Sequence, residues 1–108
     1  MNYDKINKEI KKFADERDWD KFHSPKNLSM ALSVEASELV EIFQWQKENE
    51  INDLIVKKAK DEVADIFYYL VRMCQKMNIN LEEVFYEKMK KNRIKYPVDM
   101  VKGKFDLK

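Results

Sequence analysis

The chain has 108 residues, with 21 Lys and Arg against 20 Asp and Glu, and only one Gly, two Pro and one Cys. A chain of this length forms one small domain, and a single glycine cannot supply the tight turns of a sandwich or barrel, so the expected class is all-α. A net charge of +1 removes the broad attraction used by non-specific nucleic-acid binders, and the lone Cys74 excludes an intramolecular disulfide and a cysteine zinc site.

In chain order, Tyr3, Ile6, Ile10, Phe13 and Ala14 recur at helical spacing and predict an amphipathic helix ending near Arg17. The period breaks from Asp18 to Asn27. Ser24-Pro25 then offers an N-cap followed by a first-turn proline, opening a second helix that runs to about Trp45. Gln46 to Asp53 reads as a connection. A third, longer helix carries Ile55, Ala59, Val63, Ile66, Phe67, Tyr69, Leu70, Met73, Cys74 and Met77, a set too wide for one stripe, so two buried sides are expected. Asn80 and Glu83 have the spacing of a capping pair for a fourth helix, which Tyr96-Pro97 ends. The expected organisation is a single helical domain over residues 1–97, four-helix bundle-like with the third helix central, and a tail over 98–108. The surface left on the third helix predicts a homo-oligomer with a helix-mediated interface. With no apolar signal core and no run long enough to cross a bilayer, the expected setting is the cytoplasm, without membrane or nucleic-acid polymer as partner.

The chemistry lies in where the acids fall. At about 100° per residue, Glu35 sits in the arc of Leu28, Ala31, Leu32, Leu39 and Ile42, with Glu38 bordering it. On the third helix Glu62 lies among Ile55, Ala59, Ile66, Tyr69 and Met73, with Asp65 one turn further. A single Glu-x-x-Glu is ordinarily a solvated face; two such pairs on apolar arcs are not ordinary. Four inward carboxylates need positive charge, and Lys58 and Lys76 lie only at the edges of this face. An all-oxygen set without His or Cys suits Mg²⁺, or Mn²⁺ in its place, better than Zn²⁺. Di-iron chemistry is disfavoured, because the only histidine, His23, precedes the second helix. Asp61 and Glu41 could be outer ligands or surface residues.

Glu35-Ala-Ser-Glu38 followed by Glu62-Val-Ala-Asp65 resembles the E-x-x-E … E-x-x-D signature of the MazG-like nucleoside triphosphate pyrophosphohydrolases, of the all-α NTP pyrophosphatase superfamily. Glu16 to Leu28, Glu41 to Trp45 and Asn92 to Pro97 look like the matching stretches of the dCTP pyrophosphatase branch, and the similarity spans roughly residues 6 to 97. The resemblance implies hydrolysis of a nucleoside triphosphate, dCTP or a related pyrimidine, to the monophosphate and pyrophosphate, with Glu35, Glu38, Glu62 and Asp65 as Mg²⁺ ligands and catalytic acids. It also implies that Trp19, Phe22, His23, Trp45 and Tyr69 line the nucleotide pocket, that Lys88 and Asn92 meet the phosphates, and that the chain forms a dimer or tetramer. Val34 and Ser37 stand where that branch commonly has glycines.

The chemistry also follows from charge. A triphosphate can approach carboxylates only with metal between them, and a carboxylate, Glu38 or Glu35, would orient water for in-line attack at the α-phosphorus. Trp19 and Trp45 could stack on a base or anchor a core or oligomer. Other readings are a broad or dUTP-preferring pyrophosphatase, or a non-catalytic helical module whose acids pair with a basic partner.

Overall fold

The structure, a computed structural model, describes residues 1–104. Helix α1 covers Tyr3–Glu16, α2 Pro25–Phe43, α3 Asp53–Met77, α4 Leu81–Lys95 and α5 Val98–Val101, with short 3-10 turns at Asp20–Phe22 and Glu48–Glu50. No strand occurs among the described residues, so the protein is all-α. The chain divides into two compact units, Met1–Asn78 and Ile79–Lys108.

Each of the four long helices begins on a side chain that satisfies an otherwise orphaned amide. Asn2 Oδ1 accepts from Lys5 N at 3.1 Å, Ser24 Oγ from Asn27 N at 3.1 Å, Asn52 Oδ1 from Ile55 N at 3.0 Å and Asn80 Oδ1 from Glu83 N at 3.1 Å. The Ser24 and Asn80 caps fall where the residue pattern puts them. Helix α2 stops at Phe43, two residues before the expected end at Trp45.

In the first unit α3 is central and packs against both α2 and α1. Its core is small: Ile10 and Ala14 from α1, Leu28 from α2, and Ile55, Val71 and Cys74 from α3 are buried. A fully buried Leu such as Leu28 contributes about 1.5–3 kcal/mol. The breadth of the α3 apolar set is real, but part of it faces outward: Val63, Leu70 and Met77 are exposed, as are Leu54 and Val56 beside them. Ile6 and Ile10 of α1 and Val56, Ala59, Val63 and Phe67 of α3 line an open apolar groove of about 630 Å³.

The second unit contains α4 and α5, separated by Pro97. Val98–Val101 makes a single helical turn inside the segment expected to be tail; the rest of that expectation, residues 105–108, lies outside the described residues. Among the described residues no helix is long and apolar enough to cross a membrane.

Candidate functional site

The packing of α2 on α3 brings Glu35 against Glu62 and Asp65. One carboxylate oxygen from each lies within 4.8 Å of the others. Glu62 and Asp65, three residues apart, share a helical face, and Glu35 meets them from the opposing helix. Glu35 and Glu62 are half-buried and Asp65 is exposed. Glu38, one turn beyond Glu35, is exposed and sits outside this tightest group, yet close enough to Glu35 and Glu62 to act on both.

The electrostatics carry the mark of charge without a partner. Burial, then the close approach of the Glu38 and Glu62 carboxylates and the charges of Glu38 and Asp65, push the Glu35 carboxyl up to about 7. Glu62 is also raised: the neighbouring Glu35 carboxyl pulls it down, but partial burial, Glu38 and Asp65 outweigh that. Tyr69 is raised by burial and then by the charges of Glu35, Asp65 and Glu38. Glu35 Oε2 and Glu62 Oε2 are buried and accept no hydrogen bond, and among the described residues no ion pair reaches any of the four acids. Buried carboxylate oxygens are otherwise partnered. Two such oxygens within reach of a third carboxylate fit a divalent cation with oxygen ligands, so the residues present can hold the metal that their pattern implies.

The acids border two openings. Glu35 and Asp65 edge a cavity of about 380 Å³ whose other walls include Phe13, Trp19, Tyr68 and Tyr69, a size ordinary for a small-molecule site. Glu38 and Glu62 edge a more polar groove of about 440 Å³ with Glu41, Gln46 and Lys58.

Trp19 reaches the cavity because α1 ends abruptly. Asp18 has φ of 56°, Asp18 N donates to Asp15 O at 3.1 Å and Trp19 N to Ala14 O at 3.0 Å. This is a Schellman closure with an aspartate in the left-handed position that glycine usually takes. The Trp19 ring then meets Phe13 edge-on with centroids 5.8 Å apart, and His23 at 6.3 Å.

The other residues expected at the site are distributed unevenly. Tyr69 lies in the cavity wall with Trp19. Phe22 is exposed, and His23 Nδ1 accepts a hydrogen bond from Arg72 Nε at 2.9 Å. Trp45 is 86% exposed, just past the end of α2 and one residue before Gln46 of the polar groove. Lys88 and Asn92 lie on α4 in the second unit, Lys88 exposed and Asn92 half-buried, with the Asn92 carbonyl accepting from Tyr96 N at 2.8 Å. Val34 is exposed and Ser37 Oγ donates to Ser33 O at 3.0 Å, so neither occupies core space. Residue patterning overlooked Phe13, which read as part of the apolar face of the first helix, together with Tyr68 and Arg72. The signal for Arg72 was available: it stands two turns beyond Asp65 in the stripe of α3 that should be apolar.

An all-α chain with paired carboxylates on two packed helices matches the MazG-like family over residues 30–104. The chain belongs to the MazG-like family. Among its relatives, dCTP pyrophosphatase 1 of Bos taurus is 38% identical over 96 residues, 84% of this chain and 57% of that protein. The Homo sapiens dCTP pyrophosphatase 1 is 34% identical over 96 residues, 84% of this chain and 56% of that protein. The chain thus spans little more than half the length of these curated relatives. A crystal structure of a pyrophosphatase from Archaeoglobus fulgidus superposes with a TM-score of 0.81 at 35% identity, covering 90% of this chain and 94% of that one.

Proposed function

We propose that this protein is a Mg²⁺-dependent nucleotide pyrophosphohydrolase that cleaves a deoxynucleoside triphosphate, dCTP or a related pyrimidine, to the monophosphate and pyrophosphate. The observation that carries this reading is the pair of buried, unpartnered oxygens, Glu35 Oε2 and Glu62 Oε2, grouped with Asp65 at the mouth of an aromatic-walled cavity. Family membership and the dCTP pyrophosphatase relatives support it from a separate direction.

Glu35, Glu62 and Asp65, with Glu38 beside them, hold the metal. Mg²⁺, with Mn²⁺ as a substitute, supplies the positive charge that lets a triphosphate approach carboxylates and that offsets charge on the departing pyrophosphate. Glu38, exposed at the edge of the group, accepts the proton of the attacking water. The water oxygen bonds to the α-phosphorus, the bond from that phosphorus to the bridging oxygen breaks, and pyrophosphate leaves with the electron pair. Trp19 and Tyr69 flank the base, where stacking is worth about 1–3 kcal/mol. Trp45 is a second stacking surface at the polar groove, with Phe22 and His23 on the loop behind Trp19. The family resemblance further implies Lys88 and Asn92 as phosphate contacts. The apolar groove between α1 and α3 is covered in a homodimer or homotetramer, and light scattering that reports a monomer at high concentration removes that part. A cytoplasmic setting goes with the reading.

The test is pyrophosphate release from a panel of dNTPs and NTPs, with and without Mg²⁺, on wild type and on Glu38→Ala. Release that needs both metal and Glu38, with dCTP or a pyrimidine relative preferred, is the expected result. A folded wild type silent across the panel overturns the proposal.

A further inference from the structure

The acids leave unused the most buried charge in the first unit. Arg72, on α3, is 2% exposed, and all three arms of its guanidinium are engaged. Nε donates to His23 Nδ1 at 2.9 Å, Nη1 to Gln75 Oε1 at 2.8 Å and Nη2 to Asp20 Oδ1 at 2.5 Å. Asp20 Oδ1 also accepts from Lys76 Nζ at 2.8 Å, and Gln75 Nε2 donates to the backbone and side-chain oxygens of Asn7 at 2.8 and 2.7 Å. Hydrogen bonds from Lys76 and Arg72 keep the Asp20 carboxyl below the usual range. A buried arginine is seldom the most stable filling for a core, where an apolar side chain of similar volume does as well or better. What Arg72 provides is direction, because a planar fork fixes its partners where an apolar side chain cannot.

Two of those partners bracket one residue. Asp20 follows Trp19 directly, and the His23 ring lies against the Trp19 ring with centroids 6.3 Å apart. The Schellman closure at Asp18 sets the near side of Trp19, and Arg72 sets the far side.

We infer that Arg72 is the positioning residue for Trp19. Through Asp20 and His23 it holds the aromatic wall of the cavity that Glu35 and Asp65 edge, and so governs how tightly the base is gripped while leaving the acids to their chemistry. The inference rests on the proposed function for the identity of the ligand, but not for the positioning itself. His23 Nδ1, as acceptor from Arg72, carries no proton, so the ring holds its proton on Nε2.

That tautomer is a direct readout, since the chain has a single histidine. In wild type, ¹⁵N NMR should show His23 as the Nε2-protonated form. In Arg72→Met it should show a tautomer mixture, together with a shifted Trp19 indole resonance assigned by Trp19→Phe. With dCTP and Mg²⁺, KM should rise about tenfold while kcat stays within about twofold, with Arg72→Lys falling between because it keeps charge but loses the fork. Asp20→Asn, at an exposed side chain, should move the same readouts in the same direction, and it decides the matter if Arg72→Met fails to fold. An unmoved Trp19 resonance in folded Arg72→Met, or a fall in kcat with KM unchanged, overturns the inference. A wild type that neither binds nor hydrolyses nucleotide defeats the proposed function instead, and the His23 and Trp19 resonances still decide the positioning.

Discussion

Helix α3 carries two groups of charge that differ in one respect. At Glu62 and Asp65, met by Glu35 from α2, carboxylates crowd together with buried oxygens that nothing within the described residues satisfies. Two turns further on, Arg72, with Lys76, Asp20, His23 and Gln75, forms a network in which each of the three guanidinium nitrogens finds an acceptor. Both groups take charge partly out of water, which costs several kcal/mol per unpaired ion. The second offsets that cost from its own residues and needs nothing more. The first cannot, and a helical unit with so small a core has little stability to set against it. Charge left unsatisfied on one stretch of a helix and fully satisfied on the next separates a place built to receive something from one built to hold the chain.

Glu62→Gln strikes the unsatisfied group. Turnover should fall by at least about a hundredfold, while the metal-free protein should melt a few °C higher, because a crowded charge has gone. Retained turnover in steady-state assays would return Glu62 to a structural role. Trp19→Ala should raise KM about tenfold with kcat nearly unchanged, in keeping with one lost stacking surface; equal loss in both would place Trp19 nearer the reacting phosphorus. Arg72→Met attacks the satisfied group and should destabilise the fold by about 2 kcal/mol, below the usual cost of breaking a buried pair because Asp20 can turn to water. Urea unfolding measures it, and a gain in stability would erase the contrast.

The pH dependence sharpens the same contrast. With Glu35 pushed up to about 7 from 4.5, the native state holds a proton that the unfolded chain has released, so the Glu35 contribution is intact below about pH 4.5 and lost as pH rises through about 7. His23 is held low, first by burial and then by Arg72, and acts in the opposite sense. Comparing wild type with Glu35→Gln cancels the histidine. Relative to that variant, wild type should lose a few °C in melting temperature between pH 4.5 and 7, and Mg²⁺ with nucleotide should remove the difference. The smallest effect is expected from Trp45→Ala, about two- to threefold in KM, since a ring 86% exposed can stack but is poorly placed to grip.

Much of this was legible in the residues. The four long helices follow from apolar spacing, and the Ser24 and Asn80 caps from residue type. Glu35 and Glu62 stand out because each interrupts an apolar arc, a signal that survives projection onto a helical wheel. The early stop of α2 at Phe43 was not legible, because no residue there terminates a helix strongly. Arg72 was visible as an anomaly, but its meaning was not: its partners Asp20 and His23 lie about fifty positions away on a loop, and periodicity says nothing about which loop returns to which turn. The split among the aromatics was hidden for the same reason. Trp19 and Trp45 look alike in sequence, and it is the left-handed turn at Asp18, with the Arg72 network behind it, that keeps one of them in the cavity.

Helix α3 runs for 25 residues without glycine or proline, so Glu62, Asp65 and Arg72 ride on one stiff strut, whereas Trp19 rides on a short loop tied to it at a few points. The acids on α2 and α3 and the Trp19 wall on the loop can then change separately. On the proposed function, substitutions within residues 18–23 should retune which nucleotide is preferred without disturbing the reacting centre, giving this small fold room to evolve new substrate preferences at low risk to its chemistry.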